Sequence, residues 1–218
     1  MAVHPARTTT PALTSRAHHQ SLPFRDPPGL TGPVDRLEVR PVTTYAPMGR
    51  ELVTPRLRLR HQVLTDCAAI RGLWLERDAR SPRRIDADGH PTVDEMRERL
   101  AAQLEESDRT GLSLLAVERR DEPGLIGYCG LIVGGASLSE PEIAFELYRA
   151  VHGQGLATEA ASAVVGAARA TGRSRVWASV RAWNEPSLRV LARLGFSDSG
   201  RRQVDADGGD VVWMSLEL

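Results

Sequence analysis

The sequence predicts an α/β fold built around a mixed β-sheet, and three observations predict it. Runs of strand-like and helical spacing follow one another in the order β α α β β β α β α β β across residues 51 to 218. One of these strands, Glu142 to Tyr148, passes through a glycine-rich turn directly into a helix. The composition also breaks near residue 50, since eight of the 14 prolines (5, 11, 23, 27, 28, 33, 41 and 47) precede it. Residues 1–47 therefore read as a disordered Pro/Arg-rich tail, too poor in apolar groups to offset the entropy of ordering. Residues 48–218 read as one domain, long enough to bury roughly two thirds of its unfolded surface.

The elements follow in order. Leu52 to Arg60 alternates leucine with arginine and predicts one strand with a wet face. A helix is expected from about Asp66 to Glu76, capped by Thr65 or Asp66, and then a polar loop over Arg77 to Pro91. Thr92-Val93-Asp94-Glu95 has the form of a capping box and opens a helix to about Glu106. Leu112 to Glu118 and Leu125 to Val133 flank the turn sequence Asp121-Glu122-Pro123-Gly124 and predict an antiparallel hairpin. After Glu142 to Tyr148 comes a helix from Ala157 to Ala170, whose alanines (160, 161, 163, 167 and 168) can lie close to a sheet. Arg175 to Arg181 is a strand and Glu185 to Leu194 a short helix stopped by Gly195. Phe196 to Arg202 and Asp210 to Leu216 make a last hairpin across Asp207-Gly208-Gly209.

Charge and composition exclude several functions. All 28 basic residues are arginine, a sign of codon bias more than of chemistry. Residues 1–50 carry six arginines against Asp26, Asp35 and Glu38, so residues 51–218 carry 22 arginines against 25 acids. That balance does not suit nucleic-acid binding, and it tolerates a cationic amine substrate. No apolar run approaches membrane-spanning length. The six histidines and two cysteines, Cys67 and Cys129, show no metal-ligand spacing and no disulfide framework, so no metal is expected and a reducing, cytoplasmic compartment is. The first 25 residues lack acids in the manner of an organelle transit peptide, and they lack the apolar stretch of a secretory signal. A further reading starts translation at Met48 and makes the tail a mis-assigned extension.

The segment His152-Gly153-Gln154-Gly155-Leu156-Ala157-Thr158 carries the most readable chemistry. It leaves backbone N–H groups unpaired at a helix N-terminus, where the helix dipole also favours anions. A dinucleotide fold would place a third glycine where Thr158 stands and an acid near Arg175 to Arg181; neither is present, which disfavours NAD or FAD.

Four stretches resemble the GNAT superfamily of acyl-CoA-dependent N-acetyltransferases. They are Leu52-Val53-Thr54-Pro55-Arg56-Leu57-Arg58-Leu59-Arg60, Leu125-Ile126-Gly127, the glycine-rich turn, and Asn184-Glu185-Pro186-Ser187 running to Leu194-Gly195-Phe196. The resemblance covers Glu51 to Leu218 and is strongest to the branch that includes the ribosomal-protein N-terminal acetyltransferases. It implies a mostly antiparallel central sheet flanked by helices, with a V-shaped split between the fourth and fifth strands. It implies acetyl-CoA as co-substrate, held by Leu147, His152, Gly153, Gln154, Gly155, Leu156, Ala157, Thr158 and Asn184. His152 stands where the family usually has Gln or Arg. Asn184 would contact the pantetheine and Ser187 would lie near the thioester sulfur, although both also suit plain helix capping.

Attack on a thioester needs a neutral amine. A lysine-like amine with a pKa of about 10.4 costs roughly 4.6 kcal/mol to neutralise at pH 7, and an α-amine near 8 about 1.4 kcal/mol. A carboxylate base is therefore sought on the strand face shared by Glu142, Ala144, Glu146 and Tyr148. Glu142 is the first choice and Glu146 the second, with a solvated strand face as the plainer alternative. Relatives that carry a glutamate in the next strand have it where this chain has Ser179, and no tyrosine lies between Asn184 and Gly195 to act as acid, which leaves Ser187 or water. Cys129 sits in an apolar strand without a neighbouring base, which argues against a cysteine acyl-enzyme. Trp183 is a candidate substrate wall. The expected activity is acetyl transfer to a primary amine, either a protein N-terminal α-amine or a small-molecule amine. A catalytically inert acyl-CoA-binding or sensor module is the alternative, and the oligomeric state, monomer or homodimer, is open.

Overall fold

A computed structural model describes residues 45–206 and 208–218. The tail read from the sequence lies outside the described residues except for its end. There Ala46 N–H donates to the Thr171 carbonyl at 3.2 Å, and Met48, where the predicted domain begins, is 3% exposed and joins the main core.

The chain opens with a hairpin of β1 (Glu51–Val53) and β2 (Leu57–His61), where the sequence predicts one strand. Pro55 has no N–H for a ladder, and the chain reverses around it: Thr54 N–H donates to the Leu57 carbonyl and its hydroxyl accepts from Leu57 N–H, both at 2.9 Å. The Leu/Arg alternation continues through this turn, so periodicity alone does not reveal it. A short 3-10 turn, Leu64–Asp66, leads into α1 (Cys67–Leu75). Asp66 is the N-cap residue of α1, as expected, but its carboxylate makes no capping bond to the helix; it accepts from Val63 N–H at 2.9 Å and pairs with both terminal nitrogens of Arg60.

Helix α2 (Val93–Thr110) starts at the predicted capping box, with Thr92 Oγ1 accepting from Glu95 N–H and the Glu95 carboxylate accepting from Thr92 N–H. It runs four residues past the expected end and stops at Gly111, whose φ of +70° suits glycine. Its inner face, with Met96 and Leu100, packs on Cys67 and Ile70 of α1.

The remaining elements are β3 (Leu114–Arg119), β4 (Leu125–Ile132), β5 (Glu142–Leu147), α3 (Leu156–Ala170), β6 (Arg175–Arg181), α4 (Glu185–Arg193), β7 (Ser197–Gln203) and β8 (Val211–Glu217). All eight strands form one sheet in the order β1-β2-β3-β4-β5-β6-β8-β7, and every pairing is antiparallel except β5 with β6. The extra strand from the opening hairpin makes the pair flanking the predicted split the fifth and sixth strands.

The two faces of the sheet are covered differently. On β5, Ile143 and Leu147 enter the core with Ala160, Ala161, Val164 and Ala168 of α3. The alternate residues point the other way, toward α1, where the Tyr148 hydroxyl donates to the Ala69 carbonyl at 2.6 Å. Alanines let α3 lie close to the strands, and the site is built on the opposite face.

Candidate active site

Strands β5 and β6 touch at a single point. Glu142 pairs with Trp177, whose N–H donates to the Pro141 carbonyl at 2.8 Å, and no further pair joins the strands toward Leu147 and Arg181. Because backbone groups alternate in direction, Phe145 and Leu147 turn theirs toward the same gap that Pro141 faces. The Leu147 carbonyl is bonded at 2.8 Å to Nε2 of His152, which must carry its proton there to donate. The other groups along this edge are free to pair with an extended ligand laid in the split as an added strand.

At the open end of the split lies the glycine turn. Gly153 and Gly155 have φ of +74° and +76°, a region that a Cβ makes costly. None of the N–H groups from Gly153 to Thr158 has an acceptor among the described residues, and the buried Thr158 hydroxyl has no partner. Leu156, 1% exposed, anchors the helix start in the core, and Ala157 packs beside it. Arg56 Nη1 donates to the Gln154 carbonyl at 2.9 Å, and Arg119 bonds the Gln154 side chain, so two guanidiniums flank the turn. Unpaired amides at a helix N-terminus with flanking cations fit a pyrophosphate, and the one-sided strand edge fits a pantetheine arm.

Sequence reading missed the clamp behind this turn. Glu159, in the first turn of α3, accepts from the Thr54 hydroxyl at 2.6 Å, Arg56 N–H at 2.9 Å and Arg56 Nε at 2.6 Å. Burial pushes the Glu159 carboxyl up, but these donors win and hold it below its ordinary value. Thr54 and Arg56 stand in the strand-like opening run, where nothing local marks them as partners of a residue about a hundred positions away.

Glu142 sits where the strands part. It is 5% exposed; Oε1 accepts from Gly135 N–H and Oε2 from the Ser179 hydroxyl at 2.6 Å. Ser179 itself is exposed. The carboxylate that the sequence lacks at position 179 is thus brought to that position from the neighbouring strand, a long-range contact that no spacing rule signals. Trp213, on β8 opposite Ser179, is buried, stands edge-on to Trp177, and its Nε1 has no hydrogen-bond partner among the described residues.

Glu146 is placed differently from expectation. Arg77 grips it with Nε and Nη2, and the Tyr128 hydroxyl donates to Oε2 at 2.8 Å. Burial and the neighbouring carboxylate push the Tyr128 phenol well above its ordinary range. Both Glu146 carboxylate oxygens are thus taken up by Arg77 and Tyr128, whereas Glu142 faces Ser179 in the split. Cys129 is fully buried, and burial alone pushes its thiol far above the usual range, consistent with an inert structural cysteine.

On the other lip, Asn184 Oδ1 accepts from Ser187 N–H at 3.3 Å and caps α4. Its amide nitrogen and the half-buried Ser187 hydroxyl have no partner among the described residues. Trp183 Nε1 donates to the Gly208 carbonyl at 2.8 Å, and the Arg80 guanidinium stacks 4.2 Å above its ring. The loop after α1 therefore touches both lips, through Arg77 to Glu146 and through Arg80 to Trp183.

A family model described as an acetyltransferase (GNAT) domain matches residues 56–197. Among solved structures, a GnaT-family acetyltransferase from Bordetella pertussis is 27% identical, over 77% of this chain and 99% of that one, with a TM-score of 0.63. The ribosomal-protein-S5-alanine acetyltransferase of Vibrio fischeri is 19% identical over 77% and 96% of the two chains, with a TM-score of 0.63. The acetyltransferase yncA of Salmonella typhimurium, solved with acetyl-CoA, is 23% identical over 74% and 94%, with a TM-score of 0.57. The last two likenesses are of fold. No curated protein matches the chain.

Proposed function

The chain belongs to the GNAT acetyltransferase family, and from that premise we propose that it moves the acetyl group of acetyl-CoA to a primary amine through direct attack, with Glu142 as the ultimate proton acceptor. Acetyl transfer from acetyl-CoA is the family's reaction; the amine acceptor and the residue roles are this proposal. The observation that carries it is the hydrogen-bonded pair Glu142–Ser179, set where β5 and β6 part.

The amides from Gly153 to Thr158 would hold the pyrophosphate, and the β5 edge near Leu147 together with Asn184 would hold the pantetheine. Bound there, acetyl-CoA supplies an activated acyl carbon. His152 locks the turn to the end of β5 and so sets the depth at which the arm lies.

The buried Glu142 carboxylate reaches the split through the exposed Ser179 hydroxyl. As the amine nitrogen bonds to the acyl carbon and the C–S bond breaks, the amine proton passes to Ser179 Oγ, whose own proton passes to Glu142 Oε2 and returns from there to solvent through Ser179 once the product leaves. Ser187, with its hydroxyl unpaired beside the Asn184 cap, delivers a proton to the departing thiolate and recovers one from solvent. Gly135 N–H keeps the second carboxylate oxygen bonded and fixes the orientation of Glu142.

Thiol release from acetyl-CoA, measured with N-terminal peptides and with small amines in parallel, tests the proposal. Saturable release that depends on the amine, with the acetylated amine found by mass spectrometry, supports it. Saturable acetyl-CoA binding without release on any amine would leave only a sensor role.

A further inference from the structure

The loop that touches both lips of the split lines an open pocket of about 450 Å³ together with residues of α1 and α2, a volume within the range of small-ligand sites. Its walls include Trp74, Arg80, Arg83, Arg84, Arg99 and Gly208. Two acids also line it, and both are engaged locally. Asp86 accepts from the N–H groups of Asp88 and His90, and Glu95 is bonded to His90 and to Thr92 N–H. The guanidiniums are in the opposite condition. Those of Arg83 and Arg99 have no hydrogen bond or ion pair among the described residues, and Arg84 makes one weak contact, at 3.4 Å, to the Ile85 carbonyl. Arg80 pairs with Asp78 and stacks on Trp183. In a domain whose body carries more acids than bases, this lining gathers four guanidiniums, of which Arg83, Arg84 and Arg99 pair with no carboxylate among the described residues, Arg99 lying 5.9 Å over the Trp74 ring.

Position gives the pocket its meaning. Gly208, in its wall, holds Trp183 beside Asn184, and Arg77, at the start of the same loop, holds Glu146 on β5. The loop that lines the pocket thus reaches both lips of the split, Glu146 on the strand face that also carries Glu142, and Trp183 beside Asn184.

We infer that this pocket is a carboxylate-reading site for the acceptor. The amine reaches the split while carboxylates farther along the acceptor lie against Arg83, Arg84 and Arg99, with Trp74 as an apolar wall. The favoured acceptor is a peptide N-terminus with acidic side chains in its next few residues. This assignment of acceptor class rests on the acetyl-transfer reading above. Planar guanidiniums suit carboxylates because they donate in a paired geometry. Three partly exposed contacts of this kind act mainly on encounter and affinity, and salt weakens them.

The test combines kinetics with binding that needs no turnover. Three peptides sharing the same first residue but acidic, neutral or basic at positions three to six, and glutamate as a free acidic amine, are compared as acceptors. Wild type is expected to show a kcat/KM at least tenfold higher for the acidic peptide than for the neutral one. Free glutamate should fall below the acidic peptide; if it equals or exceeds it, the peptide assignment is overturned. Arg83→Ala, Arg84→Ala and Arg99→Ala combined should raise KM for the acidic peptide about tenfold, with kcat and the neutral peptide unaffected. Separately, the pre-acetylated acidic peptide is titrated by tryptophan fluorescence, with binding expected in wild type at low salt and lost in the triple variant or at 0.5 M salt. If acidic and neutral peptides react equally and the triple variant behaves as wild type, the site is refuted while the reaction stands. If no peptide reacts yet the acidic peptide binds in the predicted salt- and arginine-dependent way, the reaction fails and the site stands.

Discussion

The bond between Ser179 Oγ and Glu142 Oε2 joins two residues 37 positions apart, and the account of catalysis depends on it. Replacing Ser179 by alanine removes the proton path and leaves a buried carboxylate oxygen without its donor. The expected result is a kcat lowered at least fivefold with acetyl-CoA affinity unchanged, while Ser179→Thr, which keeps the hydroxyl, retains most of the rate. A Ser179→Ala enzyme with wild-type kcat would rule out the relay. Glu159 offers a test by pH. Its donors hold it below the usual value of 4.5, so it stabilises the fold fully above that value. That contribution disappears as pH falls through the lower, folded value, because the unfolded chain takes up the proton first. The melting temperature of wild type should therefore exceed that of Glu159→Gln at pH 7, and the gap should close as pH drops below about 4.5. A gap independent of pH would show that the clamp on the turn is not electrostatic. Neither contact was legible in the sequence, because each joins side chains from distant strands or helices that only the sheet brings together. Glu142 and the glycine turn were legible, since strand alternation and unpaired helix amides are local properties. Glu146 shares the same alternation, and what separates it from Glu142 is Arg77, which arrives from a loop with no readable pattern.

Among the elements, the helices were the easiest to foresee. Thr92 and Glu95 cap α2 as their spacing predicts, and the small-residue face of α3 lies in the core. The opening hairpin was not foreseen, because the leucines and arginines keep their period while Pro55 turns the chain. That hairpin has a function in the site: its turn carries Thr54 and Arg56 to Glu159 and Gln154. The turn after β5 also depends on backbone shape. A Cβ at Gly155 would meet nothing closer than Arg56 at 3.6 Å, so the cost of Gly155→Ala is conformational, roughly 1–2 kcal/mol for a left-handed φ. Thermal unfolding should shift accordingly, and calorimetric titration should show acetyl-CoA bound about tenfold more weakly, because relaxing φ redirects the amides. Unchanged affinity would mean that the amides of this turn do not hold the pyrophosphate.

For the molecule as a whole, the described residues form one sheet split at a single joint, with α3 on one face and the loop after α1 meeting the other through Arg77 and Glu146. The end of the sequence-predicted tail takes part in this body through Ala46, and Met48, the first residue of the predicted domain, lies in its core. Removing residues 1–44 should leave the melting temperature and acetyl-CoA binding unchanged, whereas removal through Met48 should cost about 2–5 kcal/mol, as for loss of a buried methionine. The central claim concerns the joint: a primary amine is acetylated there, with Glu142 as proton acceptor. Its most direct test is single-turnover acetylation of an N-terminal peptide by enzyme pre-loaded with acetyl-CoA, comparing wild type with Glu142→Gln. The substitution preserves size and can keep both neighbouring hydrogen bonds. The account predicts that the variant binds acetyl-CoA as wild type does and acetylates the peptide at least tenfold more slowly. Equal single-turnover rates in the two enzymes would contradict it.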